Sequence, residues 1–410
     1  ATLAARDSLA VTAGTLNNTG HGLIYSAGEM TLDGGVLTNR GATIESGGDM
    51  RLDMKTIHNL NHRLVTEVAV TQTGHHEAVL SGSTQRYDWR DVDISYRNKY
   101  NVTTAKMPDG SRDENFYEYS YTRTVQETRV TESDPGKILS GGNLTITSDR
   151  LNNHDSEIIA GKQLSGAIGE LNNEATPGIK ITTDAGTQVR WYAKKKKPSS
   201  GIGGTETSQG KEYSGYHPAP VTQTISLGTL AWESHTSAGG GIALPDGSLH
   251  TLNTSPASHY LVETDPRFTH ERTWLGSDYM QNALTRNGST VLKRLGDGFY
   301  EQQLIRNQIT GLTGQRYLSG FDDDNAQYKA LMDAGIAFAR EHSLTSGVAL
   351  SAAQMALLTS DMVWMVEQTV QLPDGSSQRV LVPQVYVRVK EGDVDGNGSL
   401  LAGDRVALQT

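Results

Sequence analysis

Two short motifs recur along this chain on a shared beat of about twenty residues, and that beat restricts the fold more than any other feature. The first motif places an apolar anchor behind a polar or glycine corner: Arg6-Asp7-Ser8-Leu9, Gly28-Glu29-Met30, Gly47-Gly48-Asp49-Met50, Gly141-Gly142-Asn143-Leu144 and Gly161-Lys162-Gln163-Leu164. Leu9, Met30 and Met50 stand 21 and 20 residues apart, and Leu144 and Leu164 are again 20 apart. The second motif keeps the same interval: Leu16-Asn17-Asn18, Leu37-Thr38-Asn39, Ile57-His58-Asn59, Leu151-Asn152-Asn153 and Leu171-Asn172-Asn173. Two independent motifs on one period imply stacked coils of a right-handed parallel β-helix. Each coil lays its strands ~4.8 Å above the last, and no coil can bury its inward apolar side chains alone. Gly and Asn tolerate the corners, and stacked asparagines can form hydrogen-bonded ladders.

The amino-acid usage fits such a thin-cored body. Of 410 residues 44 are Gly and only 5 are Phe, and the apolar fraction is 36%. The length exceeds one ordinary compact domain, so several units or an elongated array are expected. A formal charge of −10 argues against a general nucleic-acid binder. The one basic run, Lys194 to Lys197, precedes Pro198-Ser199-Ser200-Gly201; it reads as a solvated linker or as a phosphate or lipopolysaccharide contact. With no cysteine, disulfides, thiol catalysis and Cys-ligated zinc are excluded. No apolar stretch approaches the ~20 residues that span a bilayer. The chain opens without a start Met or signal peptide and is expected to be a segment of something longer.

The period is interrupted twice. Residues 61–138 hold two alternating stretches, Tyr87 to Ile94 and Phe116 to Arg123, around the turn signal Met107-Pro108-Asp109-Gly110. This predicts a long β-hairpin extruded from the coils. Its stripe Tyr117, Tyr119 and Tyr121 could grip a ligand or cover the flank of the coils. Residues 191–254 read as a flexible connector followed by strands. From about Ser255 the text changes: apolar spacing predicts helices through Tyr300 to Leu312 and Tyr328 to Phe338, the latter capped by Asp324. Ser351-Ala352-Ala353-Gln354 is a capping box, and Pro373-Asp374-Gly375 joins two apolar runs into a hairpin. The expected fold is therefore mainly β. Coils occupy 1–60 and 139–190, a hairpin 61–138, linker and strands 191–254, an inserted α+β module 255–390, and 391–410 returns to the coil.

The repeats resemble the filamentous-haemagglutinin repeats of two-partner-secretion exoproteins, over roughly residues 1–60 and 139–190. The strings Ser258 to Phe268, Trp274 to Met280, Arg294 to Glu301 and Leu381 to Arg388 are similar to the central region of contact-dependent growth inhibition exoproteins. That resemblance implies a secreted protein exported by an outer-membrane transporter and displayed on the bacterial surface. It implies a receptor-binding region that docks on an outer-membrane β-barrel protein or the lipopolysaccharide core of a neighbouring Gram-negative cell, so that a toxin can be delivered. The alternative within the wider family is a structural or host-adhesion segment without toxin delivery. Large rings such as Trp274, Tyr260, Phe268 and Phe299 also suit a small core, so binding residues are sought in less regular text. The loop Gly314 to Asp324 carries Arg316, Tyr317, Phe321, Asp322 and Asp323, aromatics flanked by charge, which is recognition chemistry. It reads also, and more simply, as an exposed polar loop whose last Asp caps the next helix.

No enzymatic constellation stands out. There is no Gly-x-Ser-x-Gly elbow, His-Glu-x-x-His or Walker loop, and Glu206 occupies the third glycine position after Gly201-Ile202-Gly203-Gly204. A β-helix polysaccharide lyase or hydrolase would need a paired-carboxylate cleft that the sequence does not locate. No cofactor is expected except calcium: Asp393, Asp395, Asn397 and Asp404, with Gly398 at the turn position, follow a calcium-loop spacing. An Asp/Gly/Asn-rich return into the coil would read the same way.

Overall fold

The computed structural model describes residues 1–196, 206–227, 244–245, 249–269, 274–284, 292–387 and 398–410. Its chain divides into two compact units, one of 1–66, 130–176 and 226–410, the other of 67–129 and 177–225.

The first unit is built on stacked coils, each giving one strand to each of two sheets. Thr2–Ala5, Leu23–Ser26, Thr43–Ser46, Lys137–Ser140, Glu157–Ala160 and Leu400–Ala402 form the short-strand sheet. Ser8–Thr19, Glu29–Arg40, Met50–Leu60, Leu144–His154, Gln163–Glu174 and Arg405–Gln409 form the long-strand sheet. All neighbours within both are parallel. The repeating anchors are the core: Met30, Leu32, Leu37, Ile44, Met50, Leu52 and Ile57 have at most 1% of their surface exposed. Burying such side chains contributes roughly 1.5–3 kcal/mol each. Glycine is required where coils turn over one another. A Cβ on Gly47 would lie 2.2 Å from the Ala27 carbonyl, and one on Gly141 would lie 2.0 Å from the Gly47 carbonyl.

The stack also buries a ladder of asparagines. Asn18 donates to Asn39 at 2.9 Å; Asn39 donates to Asn59, Asn59 to Asn153 and Asn153 to Asn173, each at 2.8 Å. Each rung's amide also meets a corner carbonyl, as Asn59 Nδ2 does at Gly136, 3.0 Å away. These buried amides are thus satisfied, which a thin core requires. The register crosses both insertions: Met50 pairs with Leu144, and Leu164 with Val406.

The same unit carries a five-stranded mixed sheet, ordered His250–Leu252, Tyr260–Thr264, Arg294–Gly296, Ser377–Tyr386, Met362–Gln371. Its helices are α1 (Asp278–Leu284), α2 (Gly298–Thr313), α3 (Asp324–His342) and α4 (Ala352–Met355). Asp297 caps α2, and Gly314 ends it in the left-handed conformation at φ 69°. The cap of α3 is Asp323, accepting from the Ala326 amide at 2.7 Å, one residue before the expected Asp324. Tyr328, Leu331, Met332 and Ile336 of α3 pack on Met362, Val363 and Trp364.

Three expected boundaries are corrected. The coils end at Glu174, because residues 177–190 belong to Pro177–Lys196, antiparallel to Phe116–Ser133. That strand alternates like a coil side, but at 20 residues it outruns the 11 or 12 of the long coil strands and lacks the Leu-Asn-Asn corner. The connector expected from 191 is instead largely its continuation and Glu206–Tyr216, paired antiparallel from Gly186 with Tyr216 through Lys195 with Thr207. The hairpin expected over 61–138 is part of a larger sheet: Leu64–Leu80 neighbours Phe116–Ser133, which neighbours Pro177–Lys196 and then Glu206–Tyr216. This sheet is the core of the second unit. The segment between its first two strands buries Val92, Ala105 and Met107 against Phe116.

Candidate functional site

Alternation along the short coil strands sends Ile24, Ile44, Ile138 and Ile158 into the coil core. Tyr25 and Glu45, one residue further on, face the other way and are nevertheless 4% and 3% exposed. What covers them is α2 and the residues around it. Arg306 donates to Glu45 Oε1 through Nη2 at 2.7 Å and to Asp324 Oδ2 through Nη1 at 2.8 Å. Arg316 Nη2 stands 3.7 Å from both carboxylates. Tyr25 meets Phe299 edge-on at 5.9 Å, and Phe299 meets Trp274 at 5.2 Å. Burial works against the charge on Arg306, but Asp324 and Glu45 outweigh it and hold the guanidinium protonated. Burial first, then Glu45, pushes the Tyr25 hydroxyl well above its ordinary range. Beside this seam opens a polar cleft of about 320 Å³, floored by corner glycines of the coils and walled by Arg316, Tyr317 and the start of α3.

Arg316, Tyr317, Asp322 and Asp323 thus come together on one cleft, in different roles. Arg316 and Tyr317, expected on an exposed loop, are 5% and 8% exposed and wall the seam instead. The packing of the loop against the coils is the reason: a Cβ on Gly161 would lie 3.0 Å from the Tyr317 ring. Phe321 is half-buried against the α3 core. Asp322 is exposed at the rim, and Asp323 caps α3. Glu45 and Arg306 escaped sequence reasoning. The available signal was a carboxylate at a column position where the neighbouring coils carry Tyr25, Leu139 and Ile159.

Tyr117, Tyr119 and Tyr121 share one face of the second unit's sheet, the first two half-buried and the third buried. Tyr216 lies 4.9 Å from Tyr119 and 5.1 Å from Tyr121, in the space left by Gly186 across the strand pair. The Arg86 guanidinium sits 4.1 Å over the Tyr119 ring, and Arg123 grips Asp184 with two bonds of 2.8 Å. His75 stacks on Tyr121 at 5.1 Å. Burial, then the Glu77 charge, pushes the Tyr121 hydroxyl up to about 12. The stripe is therefore a packed aromatic and ionic cluster with Tyr117 and Tyr119 partly accessible.

Asp393, Asp395 and Asn397 lie outside the described residues. Asp404 is exposed at the corner between Leu400–Ala402 and Arg405–Gln409. Among the described residues no group of three or more His, Asp or Glu could hold a metal ion. Among them too, no helix is long and apolar enough to cross a membrane.

The chain matches the haemagglutinin-repeat family over residues 1–53 and 94–190. It is 35% identical over 243 residues to the tRNA nuclease CdiA-2 of Burkholderia pseudomallei (strain 1026b), which covers 59% of this chain and 7% of that protein. It is 34% identical over 279 residues to the toxin CdiA of Yersinia pestis, covering 63% of this chain and 8% of the relative. The toxin CdiA of Escherichia coli is 36% identical over 146 residues, 36% of this chain and 4% of the relative. The chain thus spans only 4 to 8% of the length of these relatives. No solved structure matches. On its repeats, the parallel coils they build and these relatives, the chain is similar to the CdiA-type filamentous-haemagglutinin exoproteins, and its repeats indicate a secreted segment displayed at the bacterial cell surface.

Proposed function

We propose that this chain is the receptor-binding segment of a contact-dependent growth inhibition exoprotein, a right-handed β-helix end carrying an α+β module, with no turnover of its own. It docks on an outer-membrane β-barrel protein or the lipopolysaccharide of a neighbouring Gram-negative cell, and the full-length protein reaches the surface through an outer-membrane transporter. The observation that carries this reading is the pairing of Met50 with Leu144 and of Leu164 with Val406. The coil register passes through two large insertions, so non-repetitive surface is added to a stalk without interrupting it. A repeating surface offers the same side chains at every step, whereas selective docking needs singular ones. The relatives named as toxins and nucleases extend far beyond the matched region, which leaves room for their activity elsewhere.

The test is binding of the purified chain to intact Gram-negative cells and to isogenic strains lacking single outer-membrane proteins or the outer lipopolysaccharide core. Loss of binding in one deletion strain names the receptor. No binding to any strain by folded chain, with binding to host cells, replaces this reading by host adhesion. Calcium belongs to the same proposal: Asp393, Asp395, Asn397 and Asp404 would tie down the return to the coil. Calcium is expected to raise the melting temperature, and identical melts with calcium and with chelator remove it.

A further inference from the structure

Resting on the receptor-binding reading, the geometry points to the chemistry taken by the cleft beside the coil seam: we propose that it binds a neutral or amino-bearing saccharide unit. The corner column that lines it runs Gly48, Gly142 and then Lys162, stacked on Gly28, each of these three backbone amides donating to the carbonyl before it in the column. Gly48 and Gly142 keep that part of the floor free of side chains. Lys162 breaks the column at the cleft, with its side chain exposed. Stacking does not require that departure, since glycine serves the same position in the coils below.

The remaining groups suit a polyol. The buried charges cancel in pairs, Arg306 and Arg316 against Glu45 and Asp324. Arg316 is held 3.7 Å from its carboxylates, beyond hydrogen-bond reach, so its terminal nitrogens keep donor capacity where they line the cleft. Trp274 borders the same space, and its indole N–H is buried without an acceptor among the described residues. Fixed donors beside acceptors, on a concave floor of about 320 Å³, match the vicinal hydroxyls of a sugar ring. At the rim Asp49, Asp322 and Asp323 stand against Lys162 alone, so the opening is net negative. It therefore selects against phosphorylated, sialylated and uronic acid sugars, which face like charge.

The experiment titrates the whole chain with three sets of oligosaccharide. These are delipidated, dephosphorylated core oligosaccharide from Gram-negative cells, neutral and amino-sugar host-type glycans, and their acidic counterparts. Uncharged or amino-bearing sugars are expected to bind at least about tenfold tighter than acidic ones. Asp322→Ala and Lys162→Ala, both exposed positions, are each expected to weaken binding about tenfold with unchanged melting. Preference for acidic sugars, no binding by uncharged sugars at millimolar concentration, or full binding by a folded Asp322→Ala/Lys162→Ala double variant overturns the inference. Receptor docking fails separately. A double variant that loses sugar but still binds cells supports the cleft and assigns the receptor to another surface. Binding to host-type glycans without bacterial core sugar keeps the cleft and sinks the neighbouring-cell reading.

Discussion

The coil stack and the module against it bury polar groups in opposite ways. In the coils the same amide recurs at each level, from Asn18 through Asn39, Asn59 and Asn153, each rung donating to the next along the ladder. In the module the buried groups are singular and charged. Arg306 is 7% exposed between two carboxylates, and Glu301 is fully buried, accepting from the Ser277 amide at 2.7 Å, the Ser277 hydroxyl at 2.6 Å and the Tyr328 hydroxyl at 2.8 Å. A repeated neutral bond is stabilising and replaceable, whereas an ionic group taken from water is tolerable only with its partners in place. Repetition therefore gives a stalk that tolerates change, and singularity ties one module to one site on it.

The largest expected effect attacks that contrast directly. Arg306→Ala leaves Glu45 and Asp324 buried without their main partner and is expected to cost about 3–5 kcal/mol. Hydrogen exchange should show α2 and α3 losing protection while the strands around Met50 and Leu144 keep theirs; equal loss in both regions would erase the distinction.

Next in size is a pair of opposed pH dependences within the module. Burial raises the Glu301 carboxyl to about 7, so its contribution is present below the unfolded value near ~4.3 and is lost as pH rises through 7. Burial lowers His250 to about 4, so its contribution is present above ~6.5 and is lost as pH falls through 4. Each is worth on the order of 3 kcal/mol, and the two offset across the shared window. Glu301→Gln should therefore leave a module whose stability climbs steadily from pH 4 to 7 in urea titrations. A flat profile in that variant would show that His250 does not titrate as a buried group.

Within the coils, Asn59→Ala removes a middle rung and is expected to cost about 1–3 kcal/mol by leaving its neighbours' polar groups unpaired. The exposed end rung, Asn173→Ala, should cost no more than about 0.5 kcal/mol. Equal losses in denaturant melts would mean that the ladder does not act through burial. The smallest effect belongs to an exposed ion pair in the module: Lys329 and Asp333, 2.7 Å apart on α3, should contribute less than any of these, with the little they add fading with salt. A larger value would show that charge matters in this module without burial.

The coils were legible because their information is local and repeated. An apolar anchor, a glycine corner and an asparagine return at one interval, and stacking is the only arrangement that buries them. Leu400 to Leu408 could be read as a sixth echo of that pattern only by its apolar spacing, and its place beside Gln163–Glu174 needed the sheet itself. The long strand Pro177–Lys196 alternates like its predecessors, and nothing within it announces that its partner is Phe116–Ser133. Strand partners are chosen by long-range pairing, which a period-2 pattern does not encode. The candidate site divides along the same line. Charged and aromatic residues such as Arg316 and Tyr317 suit an exposed loop or a buried seam equally well, and only the packing of α2 over Tyr25 and Glu45 decided between them. The sequence by itself determined the stalk, because repetition makes each coil the template for the next. Tertiary structure alone decided where the singular residues went, because their environment is made by chain segments as much as 261 residues away.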